Sequence, residues 1–241
     1  MESRLSFDIL PQPNDTTCGP TCLQAVYRYF GDSLPLEQVI QEVPALEEGG
    51  TLAVLLGCHA LRRGYEATIY TYNLQVFDPT WFTLPSDKIA DKLREQMQVK
   101  ESLRLRQASG AYIDFLGLGG KIRMEDLNAG LIRRYLLREV PVLTGLSATF
   151  LYREPRTVGH SNQADDVLGV PAGHFVVLCG YEPHDRQVLV ADPLFPNPFA
   201  EDHFYVVQLD RVVNAILLGI LTYDANLLIL RPRKHEHSRN P

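Results

Sequence analysis

No stretch of this 241-residue sequence approaches the roughly 20 consecutive apolar residues that a membrane-spanning helix needs. The opening MESRLSFDIL interleaves acidic and apolar side chains and lacks the unbroken apolar core of a secretory signal. Cysteine is scarce: four in the whole chain, too few for a secreted disulfide framework. Positive charge is also short, with 23 Lys and Arg against 29 Asp and Glu and a net charge of -6. No broad basic field exists to attract a phosphate backbone, so a nucleic-acid partner is not expected. Neither an internal repeat nor a phosphate-binding G-x4-G-K-[ST] motif occurs. These absences lead to the expectation of a soluble, cytoplasmic protein without a membrane partner, whose thiols stay reduced.

The 45% of hydrophobic and 22% of charged residues are the balance of a globular chain able to bury a large core. The segment PQPNDTT concentrates turn formers, and apolar residues at helical spacing follow it, so a helix is expected from Cys18 to about Gly31. Further helices are expected over 36–43, 51–63, 86–98, 126–139 and 212–218, and strands over 66–72, 141–146, 174–181, 188–191, 204–209 and 227–230. Residues 99–119 give no clear pattern, and 157–172, rich in Gly, Asp, Asn and Ser, reads as a loop. Helices first and antiparallel strands afterwards make an α+β fold.

Four residues stand out for chemistry. A thiol attacks only as thiolate, and Cys18 sits where the first turn of a helix offers unpaired N–H groups and the positive end of the dipole to that charge. The same N–H groups can hold the oxyanion formed when a carbonyl is attacked, and Gln12, six residues earlier, can add a side-chain amide. His174 opens the strand HFVVLCGY, where an imidazole projects from a rigid element and can act as the base. The turn PHDR joins that strand to VLVA as a hairpin, which brings Asp192 opposite His174 or within a few residues of it. A carboxylate there fixes the imidazole tautomer and stabilises the imidazolium.

At these residues the sequence resembles the papain-like cysteine peptidases, and most closely the bacteriocin-processing double-glycine leader peptidases and their soluble relatives. The likeness is carried by Gln12 and Cys18 in Q-x5-C-G-P, by GHFVVLCGY around His174 and by VADP around Asp192, in that order. It implies a helical subdomain facing an antiparallel sheet, with Cys18 as nucleophile, His174 as general base, Asp192 as its orienter and Gln12 as oxyanion donor. It further implies a peptide or protein substrate, an acyl-enzyme intermediate and no cofactor or metal. On this reading residues 1–231 form one domain, about 73–128 are an insertion without counterpart, and 232–241 are a mobile tail.

Three other readings compete. One places Cys18 and Cys22, four apart on a helix, with Cys58 and His59 in a metal site, although the spacing is not a strong zinc pattern; Cys22, Cys58 and Cys179 otherwise read as core. A second makes the fold a catalytically silent peptide-binding or regulatory module, and a third passes the acyl group to an amine or thiol instead of water. Asp165 and Asp166, in the loop before His174, read either as a border of the cleft or as part of a solvated surface loop, and the helix over 86–98 reads as a solvated charged face.

Overall fold

The computed structural model describes residues 3–47, 49–159 and 163–233. A short strand, β1 (Ser3–Arg4), precedes three helices, α1 (Cys18–Tyr29), α2 (Leu36–Glu42) and α3 (Ala53–Arg62), and then β2 (Tyr65–Thr71). Next come α4 (Ser86–Val99), α5 (Leu103–Gly117), β3 (Lys121–Arg123), α6 (Ala129–Leu136), β4 (Val142–Ser147) and α7 (Ala148–Tyr152). The remainder holds the strand pair β5 (Thr157–Val158) and β6 (Gln163–Ala164), then β7 (Gly173–Glu182), β8 (Gln187–Ala191), β9 (Phe204–Gln208), α8 (Leu209–Leu218) and β10 (Asn226–Pro232).

Eight strands make one sheet in the order β3-β2-β10-β4-β7-β8-β9, with β1 pairing to the far half of β7. Every neighbouring pair in it is antiparallel except β2 and β3, so the expected α+β class holds with one parallel exception. That exception follows from connectivity: the intervening α4 and α5 return the chain to the same end of the sheet, which a tight hairpin does not do. Helix α1 lies against β7 and β4, and α3 against β2 and β10. Cys22, Leu23, Val26 and Tyr27 of α1 and Leu56 and Ala60 of α3 are buried in the resulting core.

The unreadable stretch over 99–119 is mainly α5, whose N-cap Ser102 accepts a bond from the Leu105 N–H at 3.3 Å. It lies with α4 and packs on α3, so the region proposed as an insertion shares the main core through Phe77, Leu93, Tyr112 and Phe115. The helix expected over 126–139 is shorter, because Asn128 Oδ1 caps it by accepting from the Leu131 N–H at 3.1 Å and Glu139 turns left-handed at φ 57°. The last strand runs on to Pro232, and the tail residues 234–241 lie outside the described residues.

The α3–α5 contact is close enough to test. A Cβ added at Gly57 would meet the fully buried Phe115 ring at 2.6 Å. Gly57→Ala is expected to destabilise the protein by about 1–3 kcal/mol through overpacking, read as a lower urea midpoint at unchanged slope. A neutral effect would mean that α5 moves freely on α3.

Candidate active site

The site grows from the start of α1. Asn14 and the residues after it fold into a turn: Asn14 Oδ1 accepts from the Thr16 N–H at 3.0 Å and the Thr16 hydroxyl at 2.8 Å. Thr17 occupies the N-cap position, yet its hydroxyl donates back to the Asn14 carbonyl at 3.0 Å and makes no cap bond. The first N–H groups of the helix, at Cys18 and Gly19, are thereby left without an intrahelical acceptor, and Pro20 has none to offer. Gly19 allows the close approach of the sheet: a Cβ there would lie 2.7 Å from Thr51 Cγ2 and 3.2 Å from the Phe175 ring. The Cys22 thiol donates to the Phe175 carbonyl at 3.2 Å and fastens α1 to the start of β7.

Across this contact, β7 and β8 form the expected hairpin, with Val177 opposite Ala191 and a bulge between Leu178 and Gly180. Asp192 follows directly, and His174 Nε2 donates to its Oδ1 at 2.8 Å. Cys18 lines the same cleft as His174 and adds to the pull of Asp192 on the ring's proton. Asp192 is fully buried at 0% exposure, and its oxygens accept three further bonds. The Leu194 N–H reaches Oδ1 at 2.9 Å, and the hydroxyls of Tyr152 and Tyr205 reach Oδ2 at 2.5 and 2.8 Å.

Burial by itself pulls the His174 imidazolium down. The Asp192 charge and hydrogen bond, and then Cys18, outweigh it, so the group is pushed up to about 10. For Asp192, burial works upward but loses to His174, Tyr152 and Leu194, and the carboxyl is held below its usual range. The pair is therefore an imidazolium held by a buried carboxylate, and that imidazolium is the counter-ion a thiolate at Cys18 needs. Both Cys18 and His174 line a cleft of about 540 Å³ together with Asn14, Thr51, Arg104 and Asp224.

No protein-family model and no curated protein matches the sequence. Among solved structures, the chain is similar to a double glycine motif protease from an AMS/PCAT transporter in complex with the leader peptide, at 15% identity and TM-score 0.45 over 95% of this chain and 94% of that one. It is similar to the peptidase domain of Streptococcus ComA, a bi-functional ABC transporter, at 13% identity and TM-score 0.42 over 94% and 99%. A third likeness is to Xylellain, a cysteine protease from Xylella fastidiosa, at 14% identity and TM-score 0.43 over 95% and 85%. At such distances the chemistry has to come from the side chains of this chain.

Those side chains bring three of the four expected residues together. Gln12 is placed nearby but differently: its N–H donates to the Pro193 carbonyl at 2.9 Å, and its side-chain Nε2 donates to the Asn14 carbonyl at 3.0 Å. It is not among the cleft-lining residues, so only the second amide N–H is left to serve an oxyanion. The metal-site residues are engaged elsewhere. His59 bonds Tyr27 and Glu42 at 2.8 and 2.9 Å, the Cys58 thiol faces the Ala111 carbonyl, and no group of three metal-binding side chains occurs among the described residues. The stretch expected as a loop over 157–172 instead holds the strand pair β5 and β6, and Gly159, directly after β5, lines the cleft. Asp165, however, caps its own turn, accepting from the Val167 and Leu168 N–H groups at 2.9 and 2.8 Å. No helix among the described residues is long and apolar enough to cross a membrane.

Sequence reasoning missed Tyr152, Tyr205, Arg104 and Asp224. The two tyrosines sit on α7 and β9, far apart in the chain, and no spacing rule connects either with Asp192.

Proposed function

We propose that this chain is a papain-like cysteine peptidase or amidase that hydrolyses a peptide or amide bond with Cys18, His174 and Asp192. One observation carries the reading: a cysteine at an uncapped helix start shares a cleft with an imidazole that is locked to a buried carboxylate. The Cys18 thiolate attacks the carbonyl carbon, and the oxyanion is held by the Cys18 N–H, with Gln12 able to add its second amide N–H once it turns toward the cleft. His174 gives its proton to the leaving amine as the C–N bond breaks. Water, deprotonated by His174, then attacks the acyl-enzyme and returns Cys18 and the carboxylic acid product. Asp192 keeps the imidazole oriented throughout, and the two tyrosine hydroxyls keep Asp192 ionised. A peptide or protein is the substrate.

The four cysteines themselves provide the test. Burial pushes the Cys22 thiol well up, with Cys18 and Asp192 adding to it, and burial also raises Cys58 to about 11 and Cys179 to about 12. Only Cys18 lines the cleft. Iodoacetamide at about pH 6.5 is expected to label Cys18 at least ~10-fold faster than any other cysteine, read by mass-spectrometric mapping of the native protein. Equal, slow labelling of all four would sink the hydrolase reading. Selective labelling without cleavage of a proteome-derived peptide library would leave the silent binding module in its place.

A further inference from the structure

The proposed cycle leaves one buried carboxyl in the cleft without a task. Asp224 lines it with Cys18 and His174 and is only 5% exposed. The Thr222 hydroxyl donates to its Oδ2 at 3.1 Å, while Oδ1 has no hydrogen-bond partner among the described residues. A buried carboxyl oxygen without a donor is costly, and at Asp224 that cost favours either the protonated group or a compensating positive charge in the cleft.

The fold is shaped to keep it there. A Cβ at Gly145 would come 2.7 Å from Asp224 Cβ, and one at Gly173 would come 2.9 Å from Oδ2. The residues on either side, Tyr223 and Ala225, hold φ of 67° and 34°, a left-handed backbone that strains non-glycine residues and persists only where its surroundings enforce it. Arg104 braces the same turn, donating to the Thr222 carbonyl at 2.9 Å with its guanidinium over the Tyr223 ring.

Among the described residues, and apart from the Cys18–His174 pair, the charged groups lining the cleft are Asp15, Asp224 and Arg104, and Asp192 lies behind His174. Acidic groups outnumber basic ones, so a cation entering the cleft is favoured over an anion. We infer that Asp224 is a specificity-determining residue that binds a cationic group of the substrate, an ammonium or guanidinium, beside the scissile bond. This rests on the hydrolase reading, since it requires an acyl substrate seated at Cys18. The charged and titratable groups facing Asp224 are Arg104 and Tyr112 from α5 and His174 from β7. Burial outweighs the pull of Thr222, Arg104 and His174 and pushes Asp224 up to about 7. Its carboxylate form, and with it the preference for cations, grows as pH rises through that value.

Three methanethiosulfonate reagents that differ only in carrying a trimethylammonium, an uncharged or a sulfonate tail measure this directly. With each, the Cys18 thiolate displaces methanesulfinate and leaves a mixed disulfide. Asp224→Asn is expected to lower the ratio of cationic to anionic labelling about tenfold. In the wild type the ratio of cationic to uncharged labelling should rise with a midpoint near about 7, and in the variant it should stay flat. An unchanged ratio in the folded variant, or a flat wild-type profile, overturns the inference; if the variant does not fold, the wild-type profile decides. Loss of selective iodoacetamide labelling removes the hydrolase reading instead, whereas a selective Cys18 indifferent to tail charge removes this inference alone. Peptidyl vinyl sulfones then identify the source of the cation: faster inactivation by N-acetyl-Ala-Lys than by N-acetyl-Ala-Ala names a basic side chain, and faster inactivation by free Ala-Ala names a terminal amine. Equal rates for all three also overturn it.

Discussion

Replacing His174 with alanine is expected to slow alkylation of Cys18 at about pH 6.5 by at least ~30-fold and to cut peptide hydrolysis by ~10³–10⁴-fold. Two losses combine. The thiolate loses the imidazolium that His174 supplies beside it in the cleft, and the leaving amine loses its proton donor. The residual rate comes from the helix N–H groups, which stay in place because Thr17 still bonds Asn14. Removing the ring also strips the fully buried Asp192 of its cation, so the melting temperature should fall as well. His174→Gln, which keeps a donor for Asp192, separates the two effects: it should recover stability without recovering the reaction. Alkylation of Cys18 as fast in His174→Ala as in the wild type would mean that the thiolate is stabilised without the imidazole, and the dyad would fall.

Asp192→Asn is expected to be nearly as damaging to turnover, by ~10²–10⁴-fold, while leaving the fold largely intact. The carboxylate accepts four bonds, from His174, Leu194, Tyr152 and Tyr205. An amide has one oxygen and one NH2 group in the same space, so its NH2 must face either the His174 N–H or the tyrosine hydroxyls. The first arrangement forces the wrong imidazole tautomer, and the second rearranges the tyrosine bonds. In both the negative charge is gone, and with it the largest influence holding His174 up. Proton NMR of the His174 ring should show its titration falling from about 10, with burial now unopposed by Asp192. The same change alters stability against pH. His174 is raised in the folded state, so the stability its proton contributes is fully present below about pH 6.5 and is lost as pH climbs toward about 10. The melting temperature of the wild type should therefore drop across that window, and that of Asp192→Asn should change less. Unaltered His174 titration in the variant would overturn the assignment of Asp192 as its partner.

How much of this was legible beforehand follows from how local each feature is. The start of α1 at Cys18 is written in a turn-rich segment followed by apolar residues at helical spacing, and the structure begins that helix at Cys18. The nearness of His174 and Asp192 follows from a hairpin, whose register is fixed by its turn. By contrast α5 was not read, because Gly110 and Gly117 and a weakly amphipathic sequence hide a helix that is held by packing on α3 and α4. Helix α7 is only five residues long, too short for any periodicity to register.

What the sequence by itself determined, then, is the set of local devices: a helix that opens on a cysteine, a strand that opens on a histidine, and a hairpin that returns an aspartate to it. Tertiary structure alone decided that His174 turns Nε2 to Asp192 and shares one cleft with Cys18. It also decided that Tyr152 and Tyr205 hold the carboxylate from two separate elements, and that Arg104 and Asp224 close the same cleft from α5 and the turn before β10. These contacts join residues on separate elements, 13 apart for Tyr205 and Asp192 and 40 apart for Tyr152 and Asp192, and their geometry depends on how helices and sheet pack. No spacing along the chain encodes that packing.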